Sequence, residues 1–338
     1  MGLAFRPDFS LSANGKDISE TIRQGLLSLV LTDVSGDASD TLSIRLALPA
    51  SVQTPKGGAV LTLGLGVQGD LKAKGQFVVN QVGSSGPPRM IDICADAAPM
   101  DNRKQQGHLQ TQKTRSWHDV TLGNILHTVA GDHGLTPEMS ASLKSIRLAH
   151  LDQVGESDMN LMTRLAQRYG AISKPANGYW LFTSGGAGQS ASGNALAQLT
   201  LSPQDVTTWA YRGSSRDTIR RVIATYHDVQ TGDVGEVSVG SGEPVNRMIF
   251  KCPDRASAFA AAKARMAQMK SRADSMELTL AARVDLLQLV AESHLVLSGF
   301  GNEEDGTWRL NTVEWTLNDK ECNCVCRLIA KLQILCEC

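Results

Sequence analysis

The sequence predicts an α+β fold that is mainly β, with a strand-rich segment on each side of a smaller α/β domain. Short stretches in which apolar residues alternate with polar or small ones recur in both the first and the last third of the chain. The 338 residues include 31 glycines but only 5% aromatic residues, which is typical of short strands joined by tight turns. Apolar residues follow helical spacing in three stretches. We therefore predict four parts, which are residues 1–96, 97–198, 199–320 and 321–338.

The first part, residues 1–96, is predicted to be a small β-barrel or sandwich. Its candidate strands are separated by turn residues and include 27–31, 42–48, 60–65, 76–82 and 90–94. Residues Gly64–Gly69 match the G-x-G-x-x-G pattern of dinucleotide-binding loops by letter. That pattern needs a helix directly after the glycines to bind a pyrophosphate, whereas Asp70–Val79 has the pattern of a strand. The glycines are therefore predicted to form a hairpin bend rather than a cofactor site.

The second part, residues 97–198, is predicted to be an α/β domain that ends in a flexible Gly/Ser-rich linker. It opens with a polar linker strand or exposed arm over residues 97–120, followed by a helix. Three histidines, His118, His127 and His133, lie close together in the sequence. His127 and His133 are six positions apart and do not share a helix face, so we predict surface or helix-end histidines rather than metal ligands.

A second helix of this domain has recognisable signals at both of its ends. Ser157 is a typical N-cap, and the carboxylate of Asp158 suits the positive end of the helix dipole. Gly170 lies where a C-terminal cap needs a left-handed residue. The following residues predict two short strands joined at Asn177-Gly178, which is a strong turn signal.

The third part, residues 199–320, is predicted to be strand-rich with one alanine-rich helix over residues 254–271. Its candidate strands are 219–226, 236–239, 245–250, 276–284, 295–297 and 307–317. Six strands and a helix resemble the composition of the first part. We therefore predict that the two strand-rich parts have similar architectures.

The composition and the residue pattern argue against several classes of protein. The formal net charge of −1 lacks the basic excess of a dedicated nucleic-acid-binding protein. No run of 18 apolar residues occurs and the first residues lack a signal-peptide layout, so we predict no membrane insertion and synthesis in the cytoplasm. Glu156 and Asp158 are explained as charges that complement a helix dipole. With no recognisable catalytic arrangement, the sequence predicts that the chain is not an enzyme.

Residues 153–171 carry a resemblance to a known family. The pattern Gln-x-x-Glu-Ser-Asp over 153–158 is followed by Leu-x-x-Arg-Leu-Ala-x-x-Tyr-Gly-Ala over 161–171 and then by the predicted hairpin. This stretch resembles the late-control D family of phage tail proteins. Those proteins are central hubs of tail baseplates and are similar to the N-terminal part of type VI secretion spike proteins. The segment beyond Leu317 departs from the family pattern.

The resemblance implies an architecture and a structural role. It implies two tail-tube-like β-barrels with the α/β domain inserted between them, and a homotrimer whose six barrels match the hexameric tail tube protein. The implied partners are that tube protein, a trimeric spike protein and other baseplate proteins, with DNA passing through the channel. The implied location is the virion, in the tail baseplate, after assembly in the host cytoplasm. We further expect a channel wall without clustered Lys and Arg side chains, because each phosphate contact would hold back the DNA.

Two alternative functions are compatible with the same scaffold. One is a tail-associated enzyme that degrades the cell wall, and the other is the hub of a bacteriocin or a secretion machine. The first needs a catalytic acid in a cleft, which the sequence does not indicate. The second differs from a phage hub in its genomic neighbours and not in its sequence pattern.

Five cysteines near the end of the sequence form the candidate metal site, and they are Cys322, Cys324, Cys326, Cys336 and Cys338. In an extended chain the first three sulfur atoms would lie on one face, about 6.6 Å apart. A short excursion over Leu328–Leu335 could return the last two to the same place, and four thiolates would complete an iron–sulfur cluster. The resemblance adds that some tail-tip hub proteins carry such clusters. Zinc on four cysteines, disulfide bonds within or between subunits, and free thiols are the alternatives.

Overall fold

The computed structural model describes residues 7–332 except 37, 50–52, 68, 98–108, 177, 187, 189, 191–193, 214–218, 229–230, 271–273 and 319–321. The prediction of a mainly β protein that carries an α/β insertion is confirmed. No helix in the described part combines the length and the apolar character needed to cross a membrane.

The first part of the chain is almost entirely β. Its elements are β1 (Pro7–Ala13), β2 (Lys16–Asp17), α1 (Ser19–Arg23), β3 (Leu26–Val34), β4 (Thr41–Ala47), β5 (Val60–Val67), β6 (Asp70–Ser85) and β7 (Met90–Ala97). Apolar residues at alternate positions of β4, Leu42, Ile44 and Leu46, are buried, as the sequence pattern predicts. Gly64 and Gly66 pair with β6, and Val67 pairs with Asp70 at the end of the β5–β6 hairpin, so the glycine-rich stretch leads into the hairpin bend we expected and is not a cofactor loop.

The inserted domain follows and combines α-helices with strands of four to eleven residues. Its elements are β8 (Gln112–Thr121), α2 (Leu122–Asp132), β9 (Thr136–Met139), α3 (Ala141–Lys144), β10 (Arg147–Ser157), α4 (Asp158–Tyr169), β11 (Ala171–Ala176) and β12 (Tyr179–Ser184). Strands β8 and β10 form a two-stranded antiparallel ribbon, and β11, β12 and β9 form a second small sheet. One core unites them, in which Trp180 and Phe182 are fully buried against the apolar faces of α2 and α4.

The last part of the chain has two separate groups of elements. In chain order they are β13 (Gln198–Leu201), β14 (Thr208–Gly213), β15 (Arg221–His227), β16 (Val234–Gly240), β17 (Val245–Cys252), α5 (Arg255–Lys270), β18 (Asp274–Ala281), β19 (His294–Leu297), β20 (Gly306–Leu317) and β21 (Cys322–Leu332), with short 3₁₀ helices at Pro203–Asp205 and Val284–Gln288. Strands β15, β16 and β17 form their own sheet, covered by the small side chains Ala258, Ala261 and Ala262 of α5.

The two strand-rich parts share one sheet, which differs from the expectation of two separate barrels. Thirteen strands are hydrogen-bonded in one sheet, and its main path runs β14-β18-β21-β20-β3-β4-β7-β6-β5-β1-β2. Strand β20 makes the connection. Along one edge it pairs first with β19 and then, from Thr312 to Leu317, with β3. Apolar residues from both parts, such as Leu31, Phe77, Leu310 and Trp315, belong to the same core. The sequence could not predict this pairing because it joins strands from opposite ends of the chain.

The cysteine-rich segment is also part of this sheet over its described length. Strand β21 lies between β18 and β20 and pairs with both of them in antiparallel register. We expected an excursion of the chain over Leu328–Leu335, but Leu328–Leu332 continues the strand. That part of the prediction is wrong, because the backbone of these residues is used in the ladder with β20.

The ends of α4 confirm the sequence signals. The Ser157 hydroxyl accepts a hydrogen bond from the Asn160 amide at 3.2 Å, and Gly170 adopts the left-handed conformation with φ of 64°. Gly170 also allows α4 to approach α5, because a Cβ atom there would lie 2.9 Å from the Ala264 Cβ. The cap therefore joins the inserted domain to the unit built on β15–β17.

We expect Gly170→Ala to lower the free energy of unfolding by about 2–3 kcal/mol, combining the left-handed backbone cost with the clash against Ala264. Gly155→Ala is a matched control, since Gly155 has φ of +56° but nothing within 4 Å of an added Cβ. That control should cost only about 1 kcal/mol. Urea unfolding of both variants tests the difference, and equal losses would contradict a packing role for Gly170.

Candidate functional site

The residues of the family-like pattern meet in a charged cluster inside the inserted domain. The side chain of Asp158, at the first position of α4, is fully buried. Its carboxylate accepts hydrogen bonds from Lys113 Nζ at 2.6 Å and Arg115 Nη2 at 2.5 Å, both from β8. It also accepts one from Gln153 Nε2 at 2.9 Å and contacts His133 Nε2 at 2.8 Å. Asp158 therefore joins β8, β10 and the end of α2 to the start of α4.

The electrostatics of the cluster favour an ionised Asp158. Burial alone would raise the pKa of this carboxyl group, but the hydrogen bonds from Lys113, Gln153 and His133 and the charge of Arg115 together lower it. Asp132 shares the same two cations, at 3.0 Å from Lys113 Nζ and 2.8 Å from Arg115 Nη1, and its pKa is also lowered. The cluster is a satisfied ionic network with a structural role, and it explains why the pattern needs Gln153 and Asp158.

Glu156, the other acidic residue of the pattern, holds the outer surface of α4. It forms a two-pronged ion pair with Arg164, with N–O distances of 3.0 and 2.6 Å, and accepts a bond from Asn160 Nδ2 at 2.9 Å. Every acidic side chain of the pattern thus has a structural partner. We find no pair of carboxylates here that faces an open cleft.

The three histidines of the sequence are separated in space. His133 is buried beside Asp158, and His127 is exposed on α2. His118 lies on the exposed face of β8 opposite His150 of β10, with their Nδ1 atoms 3.1 Å apart. This pair could not be predicted from the sequence, because 32 positions separate the two residues and only the strand register brings them together.

A second charged group joins the inserted domain to the large sheet, and we call it the Asp33–Asp40–Lys174 joint. Lys174 Nζ, from β11, contacts Asp40 Oδ1 at 2.5 Å and the Val34 carbonyl oxygen at 3.1 Å. The Ala291 amide donates to Asp33 Oδ2 at 2.9 Å. Burial, followed by the nearby charge of Asp40, raises the pKa of Asp33 to about 6. The joint borders a cavity of about 920 Å³ beneath Phe77 and Trp315.

A groove of about 660 Å³ lies between α4, β17 and α5, and we call it the basic groove. Its lining has five cationic side chains, Arg164, Arg168, Arg247, Lys251 and Arg265. Two of them already have acidic partners beside the groove, since Arg164 is paired with Glu156 and Arg247 with Glu236. Beside them, Ile249 is fully exposed and Phe250 is half-exposed. The register of β17 shifts against β15 at this point, so a bulge directs these apolar side chains outward. Cations around exposed apolar residues are typical of a surface that binds another protein.

Comparison with known proteins identifies the family. A family model described as "Phage tail baseplate hub (GPD)" matches residues 108–321, which include the whole charged cluster and much of the last part of the chain. The chain belongs to the phage tail baseplate hub family. The resemblance noted in residues 153–171 is thereby confirmed.

Individual relatives agree with this assignment to the hub family. A probable baseplate hub protein of Escherichia phage 186 is 38% identical over 206 residues, which cover 60% of this chain and 52% of that protein. The chain spans about half the length of the curated relatives it matches.

Solved structures share the fold of this hub-family chain. A 43 kDa tail protein of prophage MuSo2 from Shewanella oneidensis matches with a TM-score of 0.70 at 14% identity, covering 96% of this chain and 98% of that one. An Escherichia coli component of the type VI secretion system matches with a TM-score of 0.57 at 10% identity, covering 96% and 77%. At these identities the likeness concerns the fold alone.

The family assignment corrects the prediction of an iron–sulfur protein. The matching model and the relatives describe tail hubs and no iron–sulfur protein. Among the side chains that the structure describes, no group of three or more His, Cys, Asp or Glu residues is arranged to hold a metal ion. The iron–sulfur prediction is therefore wrong. Cys336, Cys338 and the side chains of Cys322, Cys324 and Cys326 lie outside the described part, so zinc or disulfide bonds there stay predictions.

Proposed function

We propose that this chain is the structural hub at the centre of a phage-type tail baseplate, where it forms a homotrimer that joins the tail tube to the spike. The observation that carries the proposal is the match of the hub family model to residues 108–321. The similarity of fold to tail proteins over nearly the whole chain supports it. The hub acts within the virion tail and is assembled in the host cytoplasm.

The arrangement of strands suits a change of symmetry between the tube and the spike. Each chain contributes two groups of strands, which meet where β20 pairs with β3. Three chains would present six such groups to a hexameric tube protein while keeping threefold symmetry toward a trimeric spike protein. Closed rings of this kind need each subunit to satisfy the same surfaces of its neighbour.

The basic groove is the surface we assign to other baseplate proteins. Its cations would retain DNA if they faced the channel, because phosphate contacts bind in a salt-dependent manner. We therefore place the groove on the outside of the trimer, against acidic partner surfaces that accept Ile249 and Phe250. DNA passes the hub only in transit, along a wall without clustered Lys and Arg.

The hub role requires no catalysis, and the pattern carboxylates Glu156 and Asp158 are already held in ion pairs. A cell-wall-degrading tail enzyme on the same scaffold is the competing proposal. A zymogram on peptidoglycan separates the two, since clearing by the purified chain would favour the enzyme.

We expect light scattering of the purified chain to give three times the chain mass of 36.2 kDa. The trimer should persist on dilution, because ring interfaces of obligate oligomers bury on the order of 2,000 Å² or more. A monomer at micromolar concentration would contradict the trimer.

The groove assignment has its own test. Ile249→Asp should leave the trimer intact but reduce the amount of the chain in purified tails, measured by mass spectrometry. Val234→Asp changes another exposed apolar residue, on β16, and serves as the control. Equal incorporation of both variants would remove the basic groove from the proposal, and absence of the wild-type chain from tails would remove the hub role itself.

A further inference from the structure

The exposed pair His118 and His150 has the geometry of a metal chelate. The two residues lie directly opposite each other on the β8–β10 ribbon, with their ring centroids 4.6 Å apart. Their Nδ1 atoms are 3.1 Å apart. Two imidazole nitrogens bound to one Zn²⁺ at about 2.0–2.1 Å lie roughly 2.9–3.4 Å apart, depending on the angle at the metal. The backbone register thus already sets the spacing that a shared metal ion requires.

The carboxylate of Asp152 sets the tautomer of His150. His150 Nε2 is 2.9 Å from Asp152 Oδ2, and Ser116 Oγ donates to the other oxygen of Asp152 at 2.6 Å. Because a carboxylate only accepts, Nε2 of His150 carries the proton, and Nδ1 of neutral His150 presents its lone pair toward His118. A carboxylate behind the outer nitrogen is the usual support of a metal-bound histidine.

We propose that His118 and His150 bind one divalent transition-metal ion such as Zn²⁺ through their Nδ1 atoms, with Asp152 orienting His150. In the metal-free pair His118 Nδ1 donates its proton to His150 Nδ1, so on binding this proton leaves Nδ1 and His118 carries its single proton on Nε2, exchanged through water, which also fills the remaining coordination positions. Imidazole nitrogen is a ligand that suits zinc, nickel and copper. This two-histidine site differs from the cysteine site, and it does not depend on the hub role.

The ion would clamp the two strands of the ribbon. Strands β8 and β10 pair only with each other within the described part of the chain, so the ribbon has no further strand to hold its register. The same two strands supply Lys113, Arg115 and Gln153 to the buried Asp158. A metal that bridges His118 and His150 should therefore raise the melting temperature, since it binds the folded state alone.

The test is a calorimetric titration of the untagged full-length chain with Zn²⁺ after its thiols have been alkylated with N-ethylmaleimide. The wild type should bind one ion that His118→Ala and His150→Ala each lose. Asp152→Asn should weaken this binding by about tenfold or more. His127→Ala, which changes an exposed histidine on α2, should bind as the wild type does.

Thermal unfolding with and without Zn²⁺ gives the second measurement. We expect an upward shift in the wild type and in His127→Ala, and none in His118→Ala. Circular dichroism spectra matching that of the wild type establish that the variants are folded. Zinc binding that is equal in the wild type and His118→Ala, or no binding to the alkylated wild type, would overturn the proposal.

Discussion

Asp158→Asn is expected to lower the free energy of unfolding of the inserted domain by about 3–5 kcal/mol, the usual cost of leaving one partner of a buried ion pair without the other. The substitution keeps the shape of the side chain but removes its charge. Lys113, Arg115 and His133 all approach the carboxylate, and the amide that replaces it would turn a donor toward one of these donors. The loss should be seen as faster hydrogen exchange in α4 and β8 and as a lower urea midpoint.

Asp119→Asn is the matched control in the same domain. Asp119 is exposed, and its ion pair with Arg147 is long, at 3.7 Å. Loss of the Asp119 charge should therefore change stability by less than about 0.5 kcal/mol. The pH dependence adds a further check. The lowered pKa of Asp158 means that its stabilisation is present above the unfolded pKa near 3.8 and is lost as the pH falls further. The wild type and Asp158→Asn should therefore converge in acid. Equal stability of the two at pH 7 would contradict the network.

Asp33→Asn is expected to remove a pH-dependent loss of stability at the Asp33–Asp40–Lys174 joint. The folded-state pKa of Asp33 is raised from 3.8 to about 6, so between these values the folded chain holds a proton that the unfolded chain releases. The free energy of unfolding should therefore fall by up to about 3 kcal/mol as the pH rises from 4 to 6. Above pH 6 the stabilisation that depends on protonated Asp33 is lost. The asparagine variant cannot ionise and should be the more stable protein at pH 7.

The measurement is the melting temperature of both proteins at several pH values from 4 to 7. Asp40→Asn is an informative companion, because it removes the second cause of the raised pKa but leaves Asp33 buried. It should reduce the slope against pH without abolishing it, even though Lys174 loses its partner. A wild-type slope that Asp33→Asn leaves unchanged would rule out Asp33 as its source.

The sequence predicts the local features of this fold because their causes lie within a few residues. The N-cap of Ser157 and the left-handed Gly170 set the ends of α4, and the observed helix begins and ends between them. The hairpin bend after Gly66 was separable from a cofactor loop because a strand and not a helix follows it. Such signals depend on backbone geometry that neighbouring residues impose.

Features that depend on pairing between distant parts of the chain could not be predicted from the sequence. The shared sheet depends on β20 meeting β3, and the His118–His150 pair depends on the register between β8 and β10. Asp158 was expected only to complement a helix dipole, because its cationic partners on β8 lie more than forty positions earlier in the chain. In the last part of the chain, β15–β17 and the strands of the large sheet share the same alternation of apolar and polar residues. Alternation alone therefore could not predict which strands belong to which sheet.

The pairing of β3 with β20 has a consequence for the order in which the protein can fold during synthesis. Strand β3 leaves the ribosome early. Its partner β20 emerges only after the inserted domain and the unit formed by β15–β17 and α5 have been made. Until then β3 presents an open, apolar edge, which is the kind of surface that aggregates. The inserted domain has its own core and can fold while the chain is still growing. We therefore expect folding intermediates in which the inserted domain is native while the first and last parts of the chain are still unpaired. The need for chaperones should end once β20 has been made and has paired with β3.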